Sequence, residues 1–276
     1  MHPPFRHQAF FGIFSFWCCA LSASLLSADD SKAVFENSLG QKFVKVDGSA
    51  ALFCIWETRV KDYAAFASDS DRKREASGFG QGSTHPAVMI SWEDAALFCS
   101  WLTKREVASG KLPAGGVYRL PTSEEWSLAV GLAGKSKDSL QFSEGPSQVD
   151  FPWGGPWPPA EGAGNYHSDV GADSFENTSP VGSFAPNRFG IYDLGGNVWE
   201  WCQDSYKNSI DFRVLRGASW RMRSPGDLLS SIEIGNVSHI RLSTYGFRVV
   251  LDVPAGVELK GLRTNAPPSA DTSAKP

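Results

Sequence analysis

The sequence is poor in the residue types that most enzymes use for chemistry. It holds five histidines, three methionines and five cysteines in 276 residues, and no cysteine follows Cys202. The histidines His85, His167 and His239 lie far apart, with no helical metal-ligand spacing between them. No Ser-His-Asp or Cys-His arrangement is visible in the spacing. Glycine-rich phosphate loops of the P-loop or dinucleotide type are absent. Basic charge is also scarce. The net charge is −4, and the longest charged run, Asp71-Arg72-Lys73-Arg74-Glu75, carries its own acids. That excludes an electrostatic nucleic-acid binder, which presents a basic patch, and marks the run as a solvated face.

What is present suits one globular domain: 42% hydrophobic, 12% aromatic and 20% charged residues. The first residues read as an address. Arg6 is the only base before Lys32, an apolar run spans Ala9 to Leu26, and Ser27-Ala28 precede Asp29-Asp30. This is the order of a secretory signal peptide over 1–28. The run of roughly 18 residues approaches membrane-spanning length, but Gly12, Ser15, Ser22 and Ser24 interrupt it. Cys18 and Cys19, behind Trp17, make a poor lipobox. Cleavage leaves Cys54, Cys99 and Cys202, which permit one disulfide and a spare thiol, or three buried thiols packed as small hydrophobes. From Pro254 to Pro276, proline, alanine, serine and threonine dominate, a composition expected to stay disordered. The domain is therefore placed at 29–253, exported to a periplasm or the exterior, with no membrane contact after cleavage.

Within it, Phe43-Val44-Lys45-Val46 and Leu52 to Trp56 read as strands, and Val60, Tyr63, Phe66 and Ala67 as a short amphipathic helix. Ser91 with Asp94, and Thr122 with Glu125, are capping boxes opening two further helices. Strands are expected at Val214-Leu215-Arg216 and over Gly246 to Leu251. Between them, 131–187 is rich in Gly, Pro, Ser and Asn. A loop of that length is functional, held by ions, or disordered, and its aromatics Phe151, Trp153, Trp157, Tyr166 and Phe175 argue for order.

Four segments are more informative together than apart: Ile90-Ser91-Trp92-Glu93-Asp94-Ala95, Tyr118-Arg119-Leu120-Pro121-Thr122-Ser123-Glu124-Glu125-Trp126, Gly195-Gly196-Asn197-Val198-Trp199-Glu200-Trp201, and Arg216-Gly217-Ala218-Ser219-Trp220 followed by Gly246-Phe247-Arg248. In this order they resemble the formylglycine-generating enzyme, or sulfatase-modifying factor, family over roughly 35–251. The resemblance implies an irregular, loop-rich α+β fold like that of C-type lectins. It also implies two calcium sites. The first matches Asn165 (side chain), Tyr166 (carbonyl), Asp173 (side chain) and Phe175 (carbonyl). The second matches Asp193 (side chain), Gly196 and Val198 (carbonyls) and Glu200 (side chain). Such oxygens suit calcium, although Asn and Asp in glycine-rich loops also form Asx turns.

At the catalytic position the resemblance breaks. The family's enzymes bind copper through two cysteines, and those positions fall on Met222 and Asp227. One thioether and one carboxylate do not make the two-thiolate site that selects Cu(I), so copper is not expected. Cys99 matches a family cysteine whose partner position is Val249, which leaves Cys99 free or differently paired. Three readings follow. The first is an exported, calcium-stabilised binding module, non-catalytic or of altered activity, for a peptide, protein or glycan ligand. Its groove would be lined by Trp199, Ser219, Trp220, Met222 and Arg223. The second is a formylglycine-generating oxidase acting on a sulfatase cysteine or serine through a non-standard site. The third is a different activity on the same scaffold. For the exported chain, N-terminal mass spectrometry should find Asp29 as the first residue, and retention of Met1 to Ala28 would refute the signal peptide.

Overall fold

The computed structural model describes residues 33–112, 115–132, 151–254 and 257. The expected signal peptide and all but two residues of the expected tail lie outside them. The elements run β1 (Phe35–Glu36), β2 (Lys42–Lys45), β3 (Leu52–Cys54), α1 (Val60–Asp69), α2 (Trp92–Ala108), β4 (Val117–Arg119), α3 (Ser123–Val130), β5 (Trp199–Ser205), β6 (Phe212–Arg216), β7 (Ile234–Val237), β8 (Tyr245–Gly246) and β9 (Val250–Asp252). The fold is α+β and rich in loops, as expected.

The capping signals act where they stand in sequence. Ser91 Oγ accepts from Asp94 N at 3.1 Å, and Asp94 Oδ2 accepts from Ser91 N at 3.2 Å. Thr122 and Glu125 repeat the exchange at 3.1 and 2.9 Å. Each exchange satisfies first-turn N–H groups that have no partner within the helix. Gly131, at φ 100°, closes α3 in the left-handed conformation that glycine adopts without steric cost.

Two sheets divide the strands. One has the order β1-β2-β3-β9-β4 and the other β7-β6-β5-β8. The last strand, β9, sits between β3 and β4, pairing Phe53 with Val250 and Tyr118 with Leu251. The expected single strand from Gly246 to Leu251 is two. Tyr245–Gly246 runs parallel to β5 in the second sheet, and Val250–Asp252 completes the first. Between them Phe247, Arg248 and Val249 cross from one sheet to the other. Phe247 O accepts from Thr58 N and Val249 O from Cys54 N, while the Arg248 side chain is directed at Glu200 of β5.

Aromatic residues fill the space between α1, α2 and the crossing. The Phe98 ring has Tyr63, Phe66, Trp101 and Phe247 around it, with centroids 5.3 to 6.2 Å away. It is fully buried. The described part of the expected long loop, 151–187, contains a single short 3-10 turn, Ser168–Val170. Its order comes from ring packing: Phe151 stacks on Trp153 at 4.4 Å, and Trp153 meets the edge of Tyr166 at 5.6 Å. Among the described residues no helix is long and apolar enough to cross a membrane. Phe98→Ala should lower unfolding stability by about 3–5 kcal/mol in urea denaturation, the usual cost of emptying an aromatic core site. A loss under about 1 kcal/mol would contradict this packing.

Candidate functional site

The residues expected to hold cations are carried by two loops that touch. In the first, Asp173 Oδ2 accepts from Tyr166 N at 2.9 Å and Oδ1 from Phe175 N at 2.8 Å, which draws all four first-set residues into one turn. Asn165 donates both amide hydrogens, to Asn177 O at 2.8 Å and Asn197 Oδ1 at 3.1 Å. Its own Oδ1 is buried and has no partner. An orphaned buried amide oxygen is costly, and it is a type of ligand that a hard cation takes. The first set fits calcium.

In the second loop, Asp193 and Asn197 both adopt left-handed backbone, at φ 55° each. Strain of this kind in non-glycine residues persists where the surroundings impose it. Gly196 is required by contact: a Cβ there would lie 2.3 Å from Asn165 O, so the two loops pass backbone to backbone. Glu200, projecting from β5, is fully buried and paired with the equally buried Arg248, whose Nη2 and Nε reach its two oxygens at 2.6 Å each. Trp126 Nε1 adds a third bond at 3.2 Å. Arg248 also donates to Tyr192 O and Asp193 O. Glu200 Oε1 receives only the guanidinium and keeps a lone pair.

Glu57 is the functional residue the sequence reading missed. It follows β3, is fully buried, and accepts from Asn197 Nδ2 at 2.6 Å and Val198 N at 3.2 Å. Burial, reinforced by the charges of Asp193 and Glu200, pushes its carboxyl well above the usual range, against the opposing pull of Arg248. Asp193 is pushed up to about 6, first by burial. Three carboxyls thus crowd one guanidinium, which favours the neutral forms of Glu57 and Asp193, and a bound cation would favour their charged forms instead. The second set also fits calcium. Among the described residues no three His, Cys, Asp or Glu side chains form a cation cluster. Each set instead combines one or two carboxylates with carbonyl oxygens, and the first adds the amide oxygen of Asn165.

The expected groove is only partly at the surface. Trp199 and Ser219 are buried, because β5 and the turn after β6 face the core, and they underlie the groove rather than line it. Trp220 is half-buried against the edge of Phe79, 5.7 Å away. Met222 packs on the core and its carbonyl accepts from His167 N. Arg223 is exposed and paired with Asp169 at 2.9 Å. Asp227 is exposed in a 3-10 turn, Pro225–Leu228. A cavity of about 500 Å³ lies elsewhere, walled by Trp153, Pro186, Ile191 and Leu194, with Asp193 on its border.

All three cysteines of the domain are free and buried, which settles the open pairing. Burial pushes the Cys54 thiol up to about 12, and Cys99 and Cys202 rise for the same reason. None is a ready thiolate at neutral pH.

The family model of the sulfatase-modifying factor enzyme 1-like domain matches residues 33–253. The chain belongs to this family. It is 35% identical over 184 residues to the inactive C-alpha-formylglycine-generating enzyme 2 of Bos taurus, covering 62% of this chain and 52% of that protein. To the formylglycine-generating enzyme of Thermomonospora curvata it is 34% identical over 150 residues, 51% of this chain and 40% of the relative. The chain thus spans about half or less of these curated relatives. In fold it is similar to PvdO from Pseudomonas aeruginosa, with a TM-score of 0.58 and 19% identity over 80% of this chain and 98% of that one.

Removing one partner of a buried ion pair leaves an uncompensated charge. In calcium-free buffer, Arg248→Met should cost about 3–5 kcal/mol in urea denaturation, and Glu200→Leu added to it should recover part of the loss. An unchanged midpoint for the single variant would contradict the pairing.

Proposed function

We propose that this chain is a family member that works outside the cytoplasm as a calcium-stabilised binding module and no longer carries out the copper-dependent oxidation. The observation that carries this reading is the state of the thiols. The family's two copper-binding positions hold Met222 and Asp227, one packed on the core and the other in solvent. The three cysteines of the domain are buried in β3, α2 and β5 with raised pKa values. Cu(I) needs soft ligands held close together, and a lone thioether does not supply that. Similarity to a relative named as inactive supports the same reading.

Calcium would be held at the first set by Asn165 Oδ1, Asp173 and the carbonyls of Tyr166 and Phe175. At the second it would be held by Asp193, the free lone pair of Glu200, and the carbonyls of Gly196 and Val198. There it would neutralise buried charge and fix the two loops. The surface formed by Trp220, Met222 and Arg223, at the rim of those loops, would present the ligand contacts, to a peptide, protein or glycan.

Ions that bind only the native state stabilise it by mass action. Hydrogen exchange with and without a strong chelator should therefore show 164–200 loosening while α2 and α3 hold their protection. In parallel, a sulfatase-motif cysteine peptide supplied with Cu(I) and oxygen should gain no aldehyde detectable by a hydrazide probe. Aldehyde formation lost in Met222→Ala would favour the oxidase reading, and uniform protection in both buffers would overturn the calcium assignment.

A further inference from the structure

The two cation sets share no ligand, yet one chain of buried hydrogen bonds runs between them. Glu57 takes Val198 N–H on Oε1 and Asn197 Nδ2 on Oε2. Holding the Val198 N–H fixes the Asn197–Val198 peptide plane, next to the Val198 carbonyl that the second set uses. Asn197 in turn is saturated. Its Oδ1 accepts from Ser179 N at 3.0 Å and Asn165 Nδ2 at 3.1 Å, and its backbone N donates to Asn165 O at 2.8 Å. The bond from Asn165 decides which way that amide faces. With Nδ2 spent on Asn177 O and Asn197 Oδ1, the orphaned Oδ1 is the atom left for the first set. Glu57, Asn197 and Asn165 are each 2% exposed or less, so water does not compete for these bonds.

We infer that Glu57 and Asn197 are positioning residues that couple the two cation sites, so that ordering one set of ligands prepares the other. Partners of ligands that do not themselves touch the metal are known to control its affinity. What is particular here is the reach. Glu57 has no hydrogen bond to a first-set ligand, and among the described residues its hydrogen-bonded path to that set runs through Asn197. In the observed orientation the Asn165 Oδ1 is left free for the first set, and a flipped amide would present Nδ2 in its place. Coupling of this kind is reciprocal: whatever calcium at the second set does for the first, the first does for the second. The inference rests on the calcium reading above.

The test isolates each set in the full mature chain and measures calcium affinity by titration calorimetry. Asp173→Ala leaves the second set, and Asp193→Ala leaves the first. Glu57→Gln keeps the shape but replaces one acceptor oxygen with an NH₂, which must then face a donor, either Asn197 Nδ2 or Val198 N–H. In the second-set background it should weaken calcium about 10–100-fold. In the first-set background it should still weaken calcium about 5-fold or more, although it touches no ligand there. Asn197→Gly tolerates the φ of 55° and removes the relay side chain without backbone strain. It should give the same first-set loss, and it serves if Glu57→Gln does not fold in chelator by circular dichroism. A loss confined to the second set in both variants would overturn the coupling. A wild-type chain that takes up no calcium would instead overturn the calcium reading, and the coupling with it.

Discussion

The structure depends on how two fully buried carboxyls, Glu57 and Glu200, and the half-buried Asp193 are accommodated around one guanidinium. Arg248 sits where the chain crosses between its two sheets, and Glu200 lies on the central strand of the second. Their pairing is bidentate and dry, a geometry in which the Coulomb attraction is not screened away. It does not by itself argue for stability, since apolar residues of similar volume often do as well. Its role is to fix geometry. Arg248 also holds the carbonyls of Tyr192, Asp193 and Cys54. One side chain therefore ties the β3 end, the second loop and β5 together. Glu57 and Asp193 crowd the same guanidinium and are pushed up, first by burial, and the loops around them have little regular structure of their own.

Much of this was legible in the sequence, for local reasons. Capping boxes, alternation and helical spacing are short-range signals, so α1, α2, α3, β2, β3 and β6 fell where they were expected. The crossing at Phe247 to Val249 was not legible, because Gly246 to Leu251 is apolar but for Arg248, and the partner that draws Arg248 out of line stands 48 residues away. Glu57 was missed for a similar reason. It stands beside Thr58 and Arg59 with no motif of its own, and its meaning comes from Asn197, 140 residues on. Trp199 and Ser219 were placed in a groove by resemblance, and burial moved them beneath it. The cysteine pairing could not be read from an odd count, and only packing left all three thiols free.

On the proposed reading, the family's scaffold and its oxidation chemistry separate in this chain. Everything that shapes the loops is retained: the Gly-Gly-Asn-Val-Trp-Glu-Trp strand, the Gly-Phe-Arg crossing and both oxygen-ligand sets. The positions that depart are Met222 and Asp227, where the family's enzymes carry copper-binding cysteines, and Val249, where the partner of Cys99 would stand. A fold hosts a function only through its site. On the proposed reading, the site keeps hard-ligand chemistry and gives up soft-ligand chemistry.

The measurement that tests this most directly is the metal content of the mature protein, purified from its native compartment without chelators, by inductively coupled plasma mass spectrometry. The account predicts about two calcium ions per chain, one for each ligand set, and copper at background. Stoichiometric copper, or a chain free of calcium at millimolar calcium concentrations, would contradict it.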